Sequence, residues 1–169
     1  AVGGVAVVLE NLQGAVAAQG GLQVGDDLAG LDLGDVAGDG VGLAVAQGGL
    51  ADGGEFIAGD FITALLAEAF LMKHPGSTII YDVRASYAVK DTVAKYHGRA
   101  LMNRVGHAFF KKRMREENAV FGGEVTGHYY FRDNFYADNG FIPALLMLEL
   151  MSRKGQTLAQ LLAPLRQKY

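Results

Sequence analysis

Glu124, Thr126 and His128 recur at every second residue within "FGGEVTGHYYFRDNFYADNG" (121–140), a stretch that also holds Arg132, Asp133 and Asp138. On an extended strand, side chains alternate with a period of two, so this spacing predicts all three on one face. A carboxylate accepts hydrogen bonds from a vicinal diol, while a hydroxyl and an imidazole both donate and accept. Together they have the chemistry for gripping sugar hydroxyls. Gly122, Gly123 and Gly127 are expected to bring backbone close to a ligand or to supply φ > 0. The same spacing also fits the polar outer face of an edge strand with glycine bulges.

Other residues join this set from a distance in sequence. His107 opens a helical pattern, "RVGHAFFKKRMRE", where free N–H groups and the helix dipole favour an anion. It reads either as a phosphate or sugar-oxygen contact or as a structural histidine. Arg84 closes the β-rich run "STIIYDV" (77–83) and is placed either to bind phosphate in a bidentate fashion or to serve as a surface arginine. Lys111, Lys112, Arg113 and Arg115 read as a solvated helix face, because no aromatic platform for stacking bases accompanies them. His74 and His97 read as surface residues at helix ends. Asp32, Asp35 and Asp39 lie among glycines in "LDLGDVAGDGVGLAVA", and oxygen ligands on such a loop suit Mg²⁺.

The elements that must position these groups follow from residue 55 onward. Asp60 is the expected N-cap of a helix with Phe61, Leu65, Leu66, Ala69 and Phe70 on one face, stopped by "HPG" at 74–76. Ser86 caps a helix over 88–96 that Gly98 closes at C′. "RALMN" (99–103) is a short strand, and a helix over 108–117 turns Phe109, Phe110 and Met114 inward. "AVFGGEV" and "HYYF" are strands. A helix runs over 140–152 with Pro143 in its first turn, and "TLAQ" (157–160) has capping-box spacing for a last short helix. Strands alternating with helices predict right-handed parallel βαβ units. Ligands bind such sheets off the carboxyl ends of the strands, where Arg84, His107 and the 124–128 loop converge.

Residues 1–54 are different in kind. They use only Ala, Val, Gly, Leu, Asp, Glu, Asn and Gln, and the first 72 residues carry ten acids and no Lys, Arg or His. Residues 73–169 hold all fifteen Lys and Arg against eight acids, about +7, although the net charge of the 169-residue chain is only −3. So restricted an alphabet is what a record with small side chains written for others would show, and chemistry read from residues 1–54 weighs little. At most they hold a strand–helix–strand piece, with "ENLQGAVAAQG" as helix and "GLAVA" as strand. The chain has no cysteine, which excludes disulfides and thiolate metal sites and fits a cytoplasmic protein. The most apolar run, 61–72, is too short to span a bilayer, and the first residues do not read as a signal peptide. Neither a membrane nor a nucleic-acid partner is expected.

In order, "GEFIAGD", "HPGSTIIYDVRAS", "RVGHAFFKKRMRE", "FGGEVTGHYYFRD" and "DNGFIPALLMLELM" resemble the α-D-phosphohexomutases, the phosphomannomutase/phosphoglucomutase family. The resemblance covers about residues 55–169 and is similar to the third of that family's four domains. It implies a mixed, mainly parallel three-layer α/β/α sheet domain over 55–169, preceded by a partial second α/β domain over 1–54. Glu124 and Thr126 would then bind two ring hydroxyls, with Thr126 standing where the family usually has Ser. His128 completes that motif, His107 matches a histidine that approaches the substrate, and Arg84 falls where the family often has Lys. The family moves a phosphoryl group between C1 and C6 of a hexose through a phosphoserine and a bisphosphorylated sugar, with Mg²⁺ on a D-G-D-x-D-R loop. "VAGDGVG" (36–42) is the nearest counterpart of that loop and keeps only Asp39 as a metal ligand. No serine here has the S-H-N-P setting of the phosphoserine, and the fourth domain's phosphate loop is missing. The expected partners are hexose phosphates and the remaining domains of the same enzyme. A non-catalytic phosphosugar-binding or interaction module is the alternative.

Overall fold

The computed structural model describes residues 56–169; the expected second-domain piece over 1–54, Asp39 included, lies outside the described residues. Local signals set the helix boundaries. Helix α1 (Gly59–Lys73) starts after Ala58 rather than Asp60. Asp60 instead sits in the first turn, where a carboxylate suits the helix dipole. Its Oδ1 accepts from the Phe61 N–H at 3.1 Å and its Oδ2 from the Ser86 N–H at 2.9 Å, which ties α1 to the start of the next helix. That helix, α2 (Tyr87–Lys95), has the expected Ser86 cap, with Oγ accepting from the Ala88 N–H. Its exit departs from expectation. The left-handed residue is His97 (φ 59°), while Gly98 is needed for space, since a Cβ there would lie 2.7 Å from both Leu71 methyls.

Helix α3 (His107–Glu116) buries Phe110 and Met114 completely. Phe109 does not turn inward: it is 40 % exposed, with the Arg104 guanidinium 3.7 Å from its ring centroid. Helix α4 (Phe141–Lys154) keeps Pro143 in its first turn, and Asn139 Oδ1 accepts from both Phe141 and Ile142 N–H groups. Helix α5 (Leu158–Lys168) opens with the full Thr157–Gln160 capping box and runs past Pro164.

Five strands form one sheet: β1 (Thr78–Asp82), β2 (Arg99–Asn103), β3 (Phe121–Gly123), β4 (Tyr129–Phe131) and β5 (Ala137–Asp138), in the order β2-β1-β3-β4-β5. The β1 ladders to β2 and β3 are parallel, whereas β3–β4 and β4–β5 are antiparallel. The sheet is therefore mixed, as expected, with parallel ladders on β1 and antiparallel ones on β4. The connection over 124–128 is too short for a crossover, so β4 must fold back on β3.

Alternation along the strands makes three layers. Ile79, Tyr81, Phe121, Tyr129 and Phe131 face a core shared with α1, α2, α4 and α5. Ile80 and Tyr130 face the other way, onto Phe110 and Met114 of α3. Gly122 and Gly123 serve this packing, not the approach of a ligand. A Cβ on Gly122 would lie 2.8 Å from Met114 Sδ, and one on Gly123 2.5 Å from Thr63 Oγ1.

Candidate functional site: a hydrogen-bonded rim at the strand ends

The segment between β3 and β4 is a tight turn, not a strand. The Glu124 N–H donates to the His128 carbonyl at 2.9 Å and the Gly127 N–H to the Glu124 carbonyl at 3.0 Å, with Gly127 at φ 83°. The period-two expectation consequently fails for side-chain direction. Glu124 points inward and is 1 % exposed, Thr126 is exposed at the tip, and His128 is half-buried. The turn is pressed against the start of α1, where a Cβ on Gly59 would lie 2.2 Å from the Val125 carbonyl oxygen.

Glu124 is the hub of the site. Its Oε2 accepts from the Gly106 N–H at 3.1 Å, just ahead of α3, and its Oε1 accepts from the Tyr130 hydroxyl at 2.6 Å. The Tyr130 oxygen also lies 2.9 Å from His107 Nδ1. The hydroxyl has one proton, and the short contact assigns it to the carboxylate. His107 Nδ1–H therefore donates to Tyr130, which leaves Nε2 as the ring nitrogen available to a ligand. Burial, then the hydrogen bond to Glu124, push the Tyr130 hydroxyl well above the ordinary tyrosine range, so it stays protonated.

His128 is held in a similar way. Its Nδ1 lies 2.7 Å from Asp138 Oδ2, while Asp138 Oδ1 accepts from the Tyr129 N–H at 2.9 Å. The chain reaches Asp138 through a 3₁₀ turn (Arg132–Asn134) and two consecutive left-handed residues, Phe135 (φ 56°) and Tyr136 (φ 58°). Bulky residues rarely adopt that conformation; here it turns the chain back so that β5 pairs with β4. The His107 and His128 rings meet edge-on with centroids 4.4 Å apart.

Arg84 belongs to the same rim through Asp82, the fully buried last residue of β1. Asp82 accepts from the Arg84 N–H at 2.7 Å, takes Nε with both oxygens at 3.0 Å and pairs with Nη2. Its Oδ2 also accepts from the Val125 N–H at 3.3 Å, so one carboxylate anchors both Arg84 and the 124–128 turn. Burial alone would raise the Asp82 pKa, but the hydrogen bonds from Arg84 and Val125 and the guanidinium charge hold it below the ordinary value. The Arg84 side chain is 44 % exposed, and its Nη1 donors are not used by this clamp. The fork is thus aimed rather than consumed.

Of the five expected rim positions, Arg84, His107, Glu124 and His128 fall at the carboxyl end of the sheet, and Thr126 is exposed at the tip of the turn. Sequence reasoning missed Tyr130, Asp82 and Asp138 as partners. Tyr130 could have been found by noting that its face of β4 must meet the helix that His107 begins. Asp82 is a lone acid ending an apolar strand, a position that demands a partner when buried. The basic run on α3 is engaged within its own surroundings: Lys112 and Arg113 pair with Glu116 and Glu117, and the Arg115 guanidinium lies 5.2 Å from the Tyr136 ring centroid.

Mg²⁺ prefers a shell of oxygens. Among the described residues, the His107–His128–Asp138 group offers two imidazoles and one carboxylate, which does not fit that ion. No described helix is long and apolar enough to cross a membrane.

Residues 58–169 match the family described as phosphoglucomutase/phosphomannomutase, alpha/beta/alpha domain III. The phosphomannomutase of Escherichia coli K12 is 51 % identical over 108 residues, 64 % of this chain and 24 % of the relative. The chain thus spans about a quarter of the length of that curated relative. The crystal structure of a phosphoglucomutase/phosphomannomutase family protein from Burkholderia thailandensis superposes with a TM-score of 0.61 at 34 % identity, covering 66 % of this chain and 25 % of that one. The fold also matches N-acetylphosphoglucosamine mutase of Aspergillus fumigatus, solved with GlcNAc-6P and magnesium, at 14 % identity and a TM-score of 0.51, covering 68 % of this chain and 32 % of that one.

Proposed function

Since this chain belongs to the phosphoglucomutase/phosphomannomutase family and carries its α/β/α domain III, we propose that it supplies the sugar-recognition rim of a cytoplasmic phosphohexomutase. In that enzyme a hexose 1-phosphate and a hexose 6-phosphate interconvert through a phosphoserine and a bisphosphorylated sugar. The phosphoserine, a Mg²⁺ that stabilises the transferring phosphoryl group, and the remaining phosphate contacts belong to other domains. Residues 1–54 are read as the end of the second domain, with Asp39 as its remaining metal ligand, and residues 55–169 as the third.

The observation that carries this reading is the continuous network Gly106–Glu124–Tyr130–His107. It fixes a carboxylate and an imidazole beside the half-buried His128 and the exposed Thr126 hydroxyl. Hydroxyl, imidazole and carboxylate on one rim present both donors and acceptors to a diol. Arg84, aimed by Asp82, presents guanidinium donors to the substrate's phosphate. Each Glu124 oxygen has already accepted one hydrogen bond and retains a second lone pair. Glu124 is 1 % exposed, so this reading requires the 125–127 tip to give way to a diol.

Glu124→Ala in the intact enzyme tests the assignment. The expected loss in kcat/KM for glucose and mannose 1-phosphates corresponds to about 2–4 kcal/mol of transition-state binding. Unchanged values for both sugars would overturn it.

A further inference from the structure

His107, His128 and Asp138 offer one nitrogen or oxygen ligand atom each, all within 4.8 Å of one another. They come from three separate elements: the start of α3, the end of the 124–128 turn and β5. We propose that these three side chains form a site for a borderline transition-metal cation of the Zn²⁺ class, distinct in ligand chemistry from any Mg²⁺ site.

Metal-binding histidines are normally oriented by a second hydrogen bond from the ring nitrogen that does not touch the metal. His107 has this arrangement: its Nδ1 is fixed by Tyr130, whose hydroxyl is in turn held by the Glu124 carboxylate. That leaves Nε2 as the His107 nitrogen to meet a cation. His128 and Asp138 now share a hydrogen bond of 2.7 Å. On coordination the His128 ring proton moves from Nδ1 to Nε2, so that Nδ1 and the Asp138 oxygen both turn to the cation. Zn–N and Zn–O bonds of about 2.0–2.2 Å put ligand atoms roughly 3.4 Å apart, so His107 must move closer while the His128–Asp138 pair, now at 2.7 Å, opens slightly. His107 and Asp138 are exposed and His128 is half-buried, so side-chain rotation suffices.

Two imidazoles and one carboxylate suit Zn²⁺, Ni²⁺ or Cu²⁺, whereas Mg²⁺ and Ca²⁺ prefer oxygen shells. A cation here would complete its sphere with water on the open side. If the rim also grips sugar hydroxyls, as proposed above, metal and sugar exclude one another; only this consequence rests on that reading.

Calorimetric titration of the chain with ZnCl₂, and titration with Co²⁺ read by its visible absorption, test the site without any assay of activity. The expected result is one ion per chain in the micromolar range. His107→Gln and His128→Gln should each weaken binding by more than the roughly 10–100-fold that loss of a ligand's supporting partner costs, and Asp138→Asn should weaken it while keeping an oxygen for the Tyr129 N–H. His74→Gln removes an exposed histidine far from the rim and should change nothing. Circular dichroism of each variant checks that it is folded. Absence of stoichiometric binding, or binding that survives folded His107→Gln and His128→Gln, overturns the proposal. With free Zn²⁺ clamped by a chelating buffer, glucose 1-phosphate is expected to lower site occupancy in the intact enzyme. Histidine-dependent binding that is indifferent to the sugar would uphold the metal site and count against the sugar reading instead.

Discussion

Tyr130 shows how much one buried side chain decides at this site. Its hydroxyl satisfies Glu124 and holds His107 in a single tautomer. Tyr130→Phe leaves a buried carboxylate oxygen short of a donor, which should cost about 1–3 kcal/mol of stability. It should also release His107, so that ¹⁵N spectra of the ring show mixed tautomers where the parent shows Nδ1–H alone. A variant that keeps the single tautomer would remove Tyr130 from its positioning role. Its neighbour makes the opposite case. The Tyr129 hydroxyl is buried with no hydrogen-bond partner among the described residues, so Tyr129→Phe removes an unpaired polar group. Thermal unfolding of that variant should be unchanged or higher, and a clear fall would mean that the hydroxyl has a partner after all. The residue types of the site were legible in the sequence; the partners were not. Glu124, Thr126 and His128 were visible because period-two spacing made them stand out, yet that spacing belonged to a turn. Tyr130 looked like core, and it is core on its ring while its oxygen is hydrogen-bonded to Glu124 and His107.

At the scale of elements, Asp82 joins the end of β1 to the 124–128 turn and aims Arg84. Its folded pKa lies below the ordinary carboxylate value, which fixes the sign of a pH effect. The charged form is preferred in the native state, so the stabilisation is fully present above the unfolded value, about pH 4. It is lost as pH falls through the lower, folded value. Asp82→Asn should therefore lower stability at neutral pH by about 1.5–3 kcal/mol and flatten the acid limb of a stability–pH curve. An acid limb identical to the parent's would show that Asp82 carries no such linkage. Most helices and strands were readable because caps and turn residues mark their ends, as at Ser86, Asn139 and the Thr157–Gln160 box. What could not be read was strand direction past β3. That depends on the length of the connection over 124–128, which the period-two spacing made look like strand.

The molecule as a whole shows why the site sits on an open rim. Two apolar clusters, drawn from residues between Ile57 and Leu162, close on the two faces of one sheet, and the polar groups are left at its carboxyl end. The described part holds all of the chain's Lys and Arg and pairs many of them locally. Lys73 and Arg153 both meet the buried Glu149, and Lys168 meets Asp91. Among the described residues, the side chains from Ile57 to Leu162 supply two clusters that cover both faces of the sheet, and residues 56–169 are within the usual size of an independent domain, about 100–150 residues. A chain cut to residues 56–169 is thus expected to fold alone, with one cooperative urea transition of slope about 1–3 kcal/mol/M and a midpoint close to that of the full chain. The His107–Tyr130 hydrogen bond should persist in it, seen as the same ring tautomer by ¹⁵N spectroscopy. A broad, non-cooperative transition would mean that residues 1–55 complete the core, and the boundary near residue 55 would then have to move toward the start of the chain.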